Sequence, residues 1–522
     1  MRNPDEHLQE PVGWFYPALG LLLFLGFFAP LGIAPLFDVD EGAFSEATRE
    51  MLASGNYLTT HLNGVPRFDK PILIYWLQAA SVSAFGLNEF ALRLPSALAS
   101  TGWALLIFFF TRTFLDLRRA FIATVVMILS LQVTIVGKAA IADALLNCML
   151  ALSMFSIFRY YRERKNAHVL TAFAAIGLGT LAKGPVAILV PLAVSFIFFA
   201  LRHELRSWLR AILNPAGIGV FALITLPWYT LEYLDQGQAF IDGFFLKHNI
   251  GRFSSAMERH KGPLWYYIPV LIVGLLPSTA LLVPMFRHIR KLATDPLNAY
   301  LLVWAGFVFV FFSLSGTKLP HYIIYGYTPL FILAARSFDR LRHPVLLMLP
   351  PALFLLLLAA APLIIEPISK NATDPYLTAL FSGAIRLMRE SGHSLILASA
   401  AAAMLMAAFL PGLDTIKRFV VAGTLFLSAI NFHMMPLAGR LMQSPVKEAG
   451  LLVREKGYDV VMWKIDKPSF LVYSEALSPK REPLPGEIVL TSVKYLERLP
   501  DPVVIYEKHG IVLVKLGPRN AE

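Results

Sequence analysis

Runs of apolar residues set the pattern of the chain. A bilayer core about 30 Å thick is crossed by about 20 mostly apolar helical residues. Thirteen segments approach or meet that length: 12–37, 91–114, 120–136, 144–161, 170–182, 186–201, 212–231, 264–286, 297–315, 322–338, 344–365, 394–410 and 419–434. Only the tight turn Lys183, Gly184, Pro185 separates the fifth from the sixth. The first segment is too long for a signal-peptide core. Its leader is acidic (Asp5, Glu6, Glu10) and no small-residue cleavage site follows, so it reads as an uncleaved anchor.

The links between segments predict a topology. Those after the second, fourth, sixth, eighth, tenth and twelfth segments hold eighteen Lys and Arg against six Asp and Glu. Lys- and Arg-rich links stay in the cytoplasm. The even links and the amino terminus are therefore expected there, with the odd links and the carboxyl terminus outside. Three regions then face the outer side: a first loop at about 37–89, a second at about 232–262, and residues 439–522. In the last, the short runs "YDVVMW", "FLVYS", "EIVLTS", "PVVIYE" and "GIVLVKL" alternate with Pro and Gly, which predicts strands. The expected class is a polytopic α-helical membrane protein, residues 1–438 with about thirteen spans, followed by a small α/β domain at 439–522.

Composition narrows the function classes. Of 522 residues, 56% are hydrophobic and 16% charged, where a soluble domain carries about a quarter charged residues. A disordered chain and a coiled coil are excluded, and the single Cys148 excludes an intrachain disulfide scaffold. The net charge of +11 would suit nucleic acid, but the even links alone carry an excess of twelve positive charges. The basic balance is thus a topology signal. No Walker motif, zinc-finger spacing, tandem repeat or inverted repeat of spans is evident.

Chemistry-bearing residues gather at the outer ends of the spans. Asp38, Asp40 and Glu41 open the first loop at the membrane surface. Residues 41–52 have helical spacing, with Phe44, Ala47 and Met51 on one face and Glu46, Arg49 and Glu50 on the other, so the bland reading is a solvated interfacial helix with stray acids. The short apolar stretch 71–85, with Tyr75, Trp76 and Gln78, reads as a helix lying in the interface. Lys70, Lys183 and Lys318 each sit in a short, otherwise uncharged turn; for Lys183 and Lys138 the bland alternative is a lysine snorkelling to the interface. Asp143 opens the fourth span, where an acid among apolar residues marks function or merely a favourable helix start. Asp69, His248 and His260 offer oxygen and nitrogen ligands to a structural zinc, without diagnostic spacing.

The string "VDEGAFSEATREMLASGNYLTTHLNGVPRFDKP" resembles the first-loop signature of bacterial GT-C fold lipid-linked-sugar glycosyltransferases, a group that includes the lipid A aminoarabinose transferases and the protein O-mannosyltransferase-like enzymes. Weaker likenesses follow in the expected order over about residues 35–335: "KAAIADALL", "LAKGPVAILVP", "RHKGPLWYYIPVLIVGLLP" and "GTKLPHYIIYGYTPL". The resemblance implies thirteen spans with an outer carboxyl-terminal domain. It implies sugar transfer from a polyprenyl-phosphate donor to lipid A or another envelope glycan. Three departures stand out, one of them His321, at a place that varies within the family. Ala43 occupies the position where an Arg usually follows the first-loop Asp, and Asp69 replaces a Glu before the Lys-Pro. Aminoarabinose specificity therefore does not carry over.

On this resemblance the site residues divide by chemistry. The leaving group is a lipid phosphate whose charge grows in the transition state, so fixed cations stabilise it. Lys70 is expected against that phosphate, with Lys183, Lys318, His321, Tyr322 and Arg252 as further donor or substrate contacts. Asp40 is the first choice for the acid that positions or deprotonates the acceptor, with Asp143 second and Glu41 beside Asp40. No cofactor is required, because the leaving phosphate is a lipid monoester; the structural zinc is the one metal candidate. Expected partners are the polyprenyl-phosphate sugar, a lipid A, glycan or protein acceptor, and the bilayer, with no nucleic acid. The alternatives are a mannosyl-type protein O-glycosyltransferase, a transporter of the same carrier, and a scaffold acting through its carboxyl-terminal domain. Transporters often show repeats and broken helices; the sequence shows neither, and its charges gather at the outer surface.

Overall fold

The computed structural model describes residues 12–251, 262–341 and 343–517. The acidic leader, Arg252 and His260 lie outside the described residues. Among the described residues, six helices are long and apolar enough to cross a bilayer: Glu89–Phe114, Asp143–Glu163, Pro215–Gln236, Pro296–Leu314, Val345–Lys370 and Thr415–Met442. A seventh candidate is the pair Leu264–Gly274 and Thr279–Arg287, bent by 119°. The other expected spans are helical but shorter or less apolar, as with Phe15–Phe28, Val186–Leu201 and His393–Ala407. Burial distinguishes their places. The apolar window of Asp143–Glu163 is 67% buried, so it runs through the bundle core, whereas that of Pro215–Gln236 is 22% buried and presents its side chains outward.

Two spans expected to be continuous are broken, and the breaks face each other. The third is interrupted at Ser130 between Leu117–Leu129 and Leu131–Val136; the eighth breaks between Gly274 and Thr279. Leu131 N–H donates to the Leu276 carbonyl at 2.8 Å and Ser130 Oγ to the Gly274 carbonyl at 2.7 Å. Gln132 completes the patch, donating to the Pro320 carbonyl and accepting from Tyr327 Oη. Unpaired backbone groups inside a bilayer are costly, so irregular backbone persists there only when protein groups satisfy it.

The first loop is more deeply embedded than its pattern suggests. The helix Asp40–Ser54 buries the expected Phe44–Ala47–Met51 face, but also Glu46 and Glu50. The expectation of a solvated polar face is corrected here by partners that the sequence does not reveal. Arg49 forks onto both oxygens of Glu46, and Glu50 accepts the backbone N–H groups of Asn63 and Gly64. Those two residues make the tight turn between His61–Leu62 and Val65–Pro66, with φ of 57° and 77°, the left-handed pair that an Asn-Gly hairpin turn requires. The helix Leu73–Phe85 packs one face on Glu89–Phe114, where Gln78 Nε2 donates to the Leu92 carbonyl.

The carboxyl-terminal sheet has strand order Val460–Met462, Ile488–Ser492, Ile511–Lys515, Val503–Lys508. The first pair is parallel and the other two antiparallel. Four of the five expected strand runs are strands. The fifth, "FLVYS", belongs to the helix Pro468–Ser474, buried on all sides. A short apolar run buried all round carries no periodicity to separate helix from strand, and Pro468 supplies a favoured first helical residue.

That helix docks on the first loop. Ser469 donates through N–H at 2.8 Å and Oγ at 2.7 Å to Asp38, and Tyr473 Oη accepts from Leu36 N–H. Asn63 and Ser478 exchange two further bonds. The helix Pro375–Glu390, absent from the sequence expectation, meets the sheet domain through Asp374 and Lys494. The sheet domain thus touches only odd-numbered links among these contacts, consistent with one shared side. Gly42 lies at the tightest approach: a Cβ there would fall 2.4 Å from Asp38 Oδ1 and 2.5 Å from Ser469 N. Gly42→Ala should therefore cost about 1–3 kcal/mol by overpacking. It should lower the thermal unfolding midpoint in detergent and expose the carboxyl-terminal domain to limited proteolysis; an unchanged midpoint and digestion pattern would contradict this contact.

Candidate active site

Opposite helix ends supply the first charged pair. Lys183 is the last residue of Asn166–Lys183 and Asp143 the first of Asp143–Glu163. A cation at a carboxyl end and an anion at an amino end each suit the helix dipole. Lys183 Nζ meets Asp143 Oδ1 at 2.6 Å, and Tyr325 Oη donates to the same oxygen at 2.9 Å. Gly184 (φ +92°) turns the chain at this point, with Phe244 only 2.8 Å from where its Cβ would stand. The Lys183 ammonium also lies 5.5 Å from the Tyr325 ring centroid and 6.0 Å from that of Tyr322.

This pair stands at a cavity of about 550 Å³. Lys70, Lys183, His248 and Tyr322 line it on the polar side, and Leu189, Phe245 and Phe311 on the apolar side. Lys70 follows Asp69, whose carboxylate meets His248 Nε2 at 2.6 Å and Arg67 at 3.2 Å. Burial would raise Asp69, but His248, Arg67 and Lys70 hold it well below the usual carboxylate range. Arg67 also donates to Tyr75 Oη and lies over the Phe44 ring.

A second cavity, about 370 Å³, adjoins the start of the first loop. Asp40, Glu41, Arg93, Lys138 and His321 line it. Asp40 is exposed at the first turn of its helix, and no ion pair takes it up among the described residues. Glu41 is buried, and Arg93 Nε and Nη2 grip its two oxygens at 2.8 and 2.7 Å. Against the upward push of burial, Arg93 and the N–H groups of Phe37 and Ala140 hold Glu41 below its ordinary range. Asp38, behind them, is pushed up to about 6 by burial, which outweighs Lys467 and the Ser469 hydrogen bonds. His321 lies between the cavities: it lines the second, and the charges of Asp143, Lys183, Asp40 and Lys70 all act on it. Burial pushes its imidazole down to about 4, so it is neutral near pH 7.

The structure thus brings Lys70, Lys183, Tyr322 and His248 to one cavity, with Asp143 paired to Lys183 behind its lining, and Asp40, Glu41 and His321 to the other. Lys318 is buried, donates to the Ser315 carbonyl at 2.8 Å and lines neither cavity. Of the zinc candidates, Asp69 and His248 pair directly with each other, and His260 lies outside the described residues. Among the described residues no three His, Cys, Asp or Glu side chains converge on a metal position. Sequence reasoning missed Arg93, Arg67 and Tyr325. For Arg93 a signal existed, a charge inside an apolar span. A further cavity of about 240 Å³ beside Trp208 and Phe173 is lined almost wholly by apolar side chains and holds none of the reacting groups.

The sequence profile of the dolichyl-phosphate-mannose-protein mannosyltransferase family matches residues 69–230. Two curated relatives, the undecaprenyl phosphate-alpha-4-amino-4-deoxy-L-arabinose arabinosyl transferases of Aeromonas hydrophila and Aeromonas salmonicida, are 32% and 33% identical over 63% of this chain. The chain spans about 60% of the length of these relatives. A crystal structure of ArnT from Cupriavidus metallidurans bound to undecaprenyl phosphate superposes with a TM-score of 0.81 at 20% identity, covering 98% of this chain and 100% of that one. The fold is therefore the GT-C fold expected, and the resemblance read from the first loop is borne out.

The Asp143–Lys183 pair carries its own test. Removing one partner of a buried ion pair strands the other and costs about 3–5 kcal/mol. Asp143→Asn and Lys183→Met should each lower stability by about that much, and the double substitution should cost clearly less than their sum. A double-mutant cycle on unfolding in detergent reads this; strict additivity would mean that the two groups do not depend on each other.

Proposed function

We propose that this protein is an integral-membrane glycosyltransferase that moves a sugar from a polyprenyl-phosphate donor to an acceptor outside the cytoplasm, lipid A or another envelope glycan. The observation that carries the reading is two lysines, Lys70 and Lys183, on one apolar-walled cavity, with the exposed Asp40 on its neighbour. The names of the curated relatives support a donor linked to undecaprenyl phosphate, and the likeness to a structure bound to that lipid supports the same carrier. We take residues 1–438 as the transferase region and 439–522 as a periplasmic domain. The basic even links support an inner-membrane topology with a cytoplasmic amino terminus.

The chemistry follows from charge placement. The acceptor oxygen attacks the anomeric carbon of the donor sugar; the bond from that carbon to the phosphate oxygen breaks, and polyprenyl phosphate leaves with the electron pair. Negative charge gathers on the phosphate, where Lys70 and Lys183 stabilise it. Asp143 orients Lys183 through their ion pair, and Tyr325 in turn fixes Asp143. A hydroxyl acceptor gives its proton to Asp40; an acceptor phosphate is already ionised, and Asp40 then orients it. Glu41 is fully occupied by Arg93 and two backbone N–H groups, so we assign it to holding the loop rather than to proton transfer. Tyr322 and neutral His321 contact the donor between the cavities. No step calls for a cofactor; Asp69 and His248 would be the described ligands of any structural zinc.

The second reading is a protein O-glycosyltransferase, favoured by the family match at residues 69–230. Mass spectrometry of lipid A and envelope proteins from a strain lacking the gene separates the two. Loss of one sugar increment from lipid A is expected; its loss from envelope proteins selects the second reading, and unchanged masses in both overturn the function. With purified protein and a hydroxyl acceptor, Asp40→Asn should lower transfer about 10²–10⁴-fold, and wild-type turnover in that variant would remove Asp40 from the site. Lys70→Ala should weaken undecaprenyl phosphate binding, measured by competition with a labelled polyprenyl phosphate.

A further inference from the structure

Lys138 is a cation of the second cavity to which the proposed chemistry gives no task. It is 6% exposed and lines the cavity together with Asp40, Glu41, Arg93 and His321. Its ammonium donates to the Thr134 carbonyl and to Asn431 Oδ1 at 2.7 Å. Both acceptors are neutral, and among the described residues no carboxylate pairs with it.

Two of the three acids at this cavity, Glu41 and Asp38, are already committed. Glu41 accepts from Arg93 twice and from the N–H groups of Phe37 and Ala140. Arg93 spends its remaining donors on the carbonyls of Leu31, Ala34 and Pro35. Asp38 is held by Ser469, with Lys467 at 4.0 Å. The Glu41–Arg93 pair is neutral in sum, and burial, with Arg93 nearby, pushes the Lys138 ammonium down to about 7, so its full charge awaits an anionic partner. Its bond to Thr134 does use the carboxyl end of the helix Leu131–Val136. A helix terminus offers only a fraction of the free energy that burying an unpaired ammonium costs. An anionic ligand would supply the rest.

The cavity walls describe that ligand. Ile33, Val39 and Ile135 line it and are exposed at its margin, so one flank is apolar and open while the charge lies inside. We propose that Lys138 is an acceptor-binding residue, holding a phosphate group of a lipid-anchored acceptor in the second cavity while the donor phosphate occupies the first. The assignment rests on the transferase reading above and adds to it the place and the cation of the acceptor. His321 and Asp40 then stand between donor and acceptor, where the sugar crosses.

The test uses the full chain in nanodiscs with two probes, bisphosphorylated lipid A and the same lipid after phosphatase treatment. The wild-type protein is expected to bind the phosphorylated form about tenfold or more tightly, as loss of a charge-assisted hydrogen bond implies. Lys138→Met should abolish that preference and leave undecaprenyl phosphate binding unchanged; Lys138→Arg should keep part of it. In transfer assays Lys138→Met should raise KM for the acceptor and not for the donor. Asn431→Asp, which places a carboxylate against the ammonium, should remove the preference without deleting the lysine, and serves if Lys138→Met does not fold. A wild-type protein indifferent to the phosphates, or a Lys138→Met or Asn431→Asp protein that keeps the preference, overturns the proposal. A wild-type protein that binds as expected but transfers no sugar overturns the transferase reading, and with it the acceptor role, while Lys138 remains a lipid-phosphate site.

Discussion

The buried ion pair between Glu41 and Arg93 is the constraint on which the outer half of the molecule depends. Arg93 is 5% exposed within a membrane helix, and Glu41 is 5% exposed on the first-loop helix. Neither charge is tolerable there alone, since a stranded buried charge costs about 3–5 kcal/mol. Together they bind more than each other. Arg93 draws in the carbonyls that end the first apolar segment, and Glu41 accepts N–H groups from Phe37 and from Ala140. Three pieces of chain distant in sequence, residues 31–41, Arg93 and Ala140, are thereby locked at one point, directly beside Asp40. The exposed acid is held by its buried neighbour.

The same logic recurs on the other side of His321. Asp143 and Lys183 come from opposite helix ends, so the helix dipoles favour the charges before the two side chains meet. Their pair leaves the lysine facing an apolar-walled cavity. Each cavity therefore combines a charged floor with an apolar flank, a combination suited to amphiphiles with phosphate groups. The break points of the third and eighth spans, at Ser130 and at 274–279, line neither cavity. Freed carbonyls of the eighth span are taken up by the third, that of Gly274 by Ser130 Oγ and that of Leu276 by Leu131 N–H. They strengthen the bundle rather than open a path through it.

Much of this was legible in the sequence, and what was not has physical reasons. Spans as long as Glu89–Phe114 are fixed by hydropathy alone, and the tight Lys183–Pro185 turn was read correctly because glycine and proline leave few alternatives. The site lysines and acids stood out because charge is rare near apolar runs. The errors share one cause: partners from far along the chain. Glu46 and Glu50 looked solvated because nothing local shows that Arg49 and the Asn63–Gly64 turn will cover them. "FLVYS" looked like a strand because its burial on every side comes from the first loop. The breaks at Ser130 and after Gly274 were invisible because each is stabilised by the other, across about 145 residues of sequence. The buried role of Glu41, as opposed to the exposed one of Asp40, likewise depends on Arg93, some fifty positions away.

The division of labour between the two cavities is open to direct measurement. A polyprenyl phosphate carrying a photoactivatable group in its first isoprene units can be bound to the full chain in nanodiscs, irradiated, and mapped by peptide mass spectrometry. Occupancy of the Lys70–Lys183 cavity predicts labelling of peptides containing Leu189, Phe245 or Phe311, suppressed by excess undecaprenyl phosphate. Competable labelling of the second cavity instead, around Ile33, Ile135 or Met435, or labelling that undecaprenyl phosphate does not suppress, would contradict the donor assignment from which the rest follows.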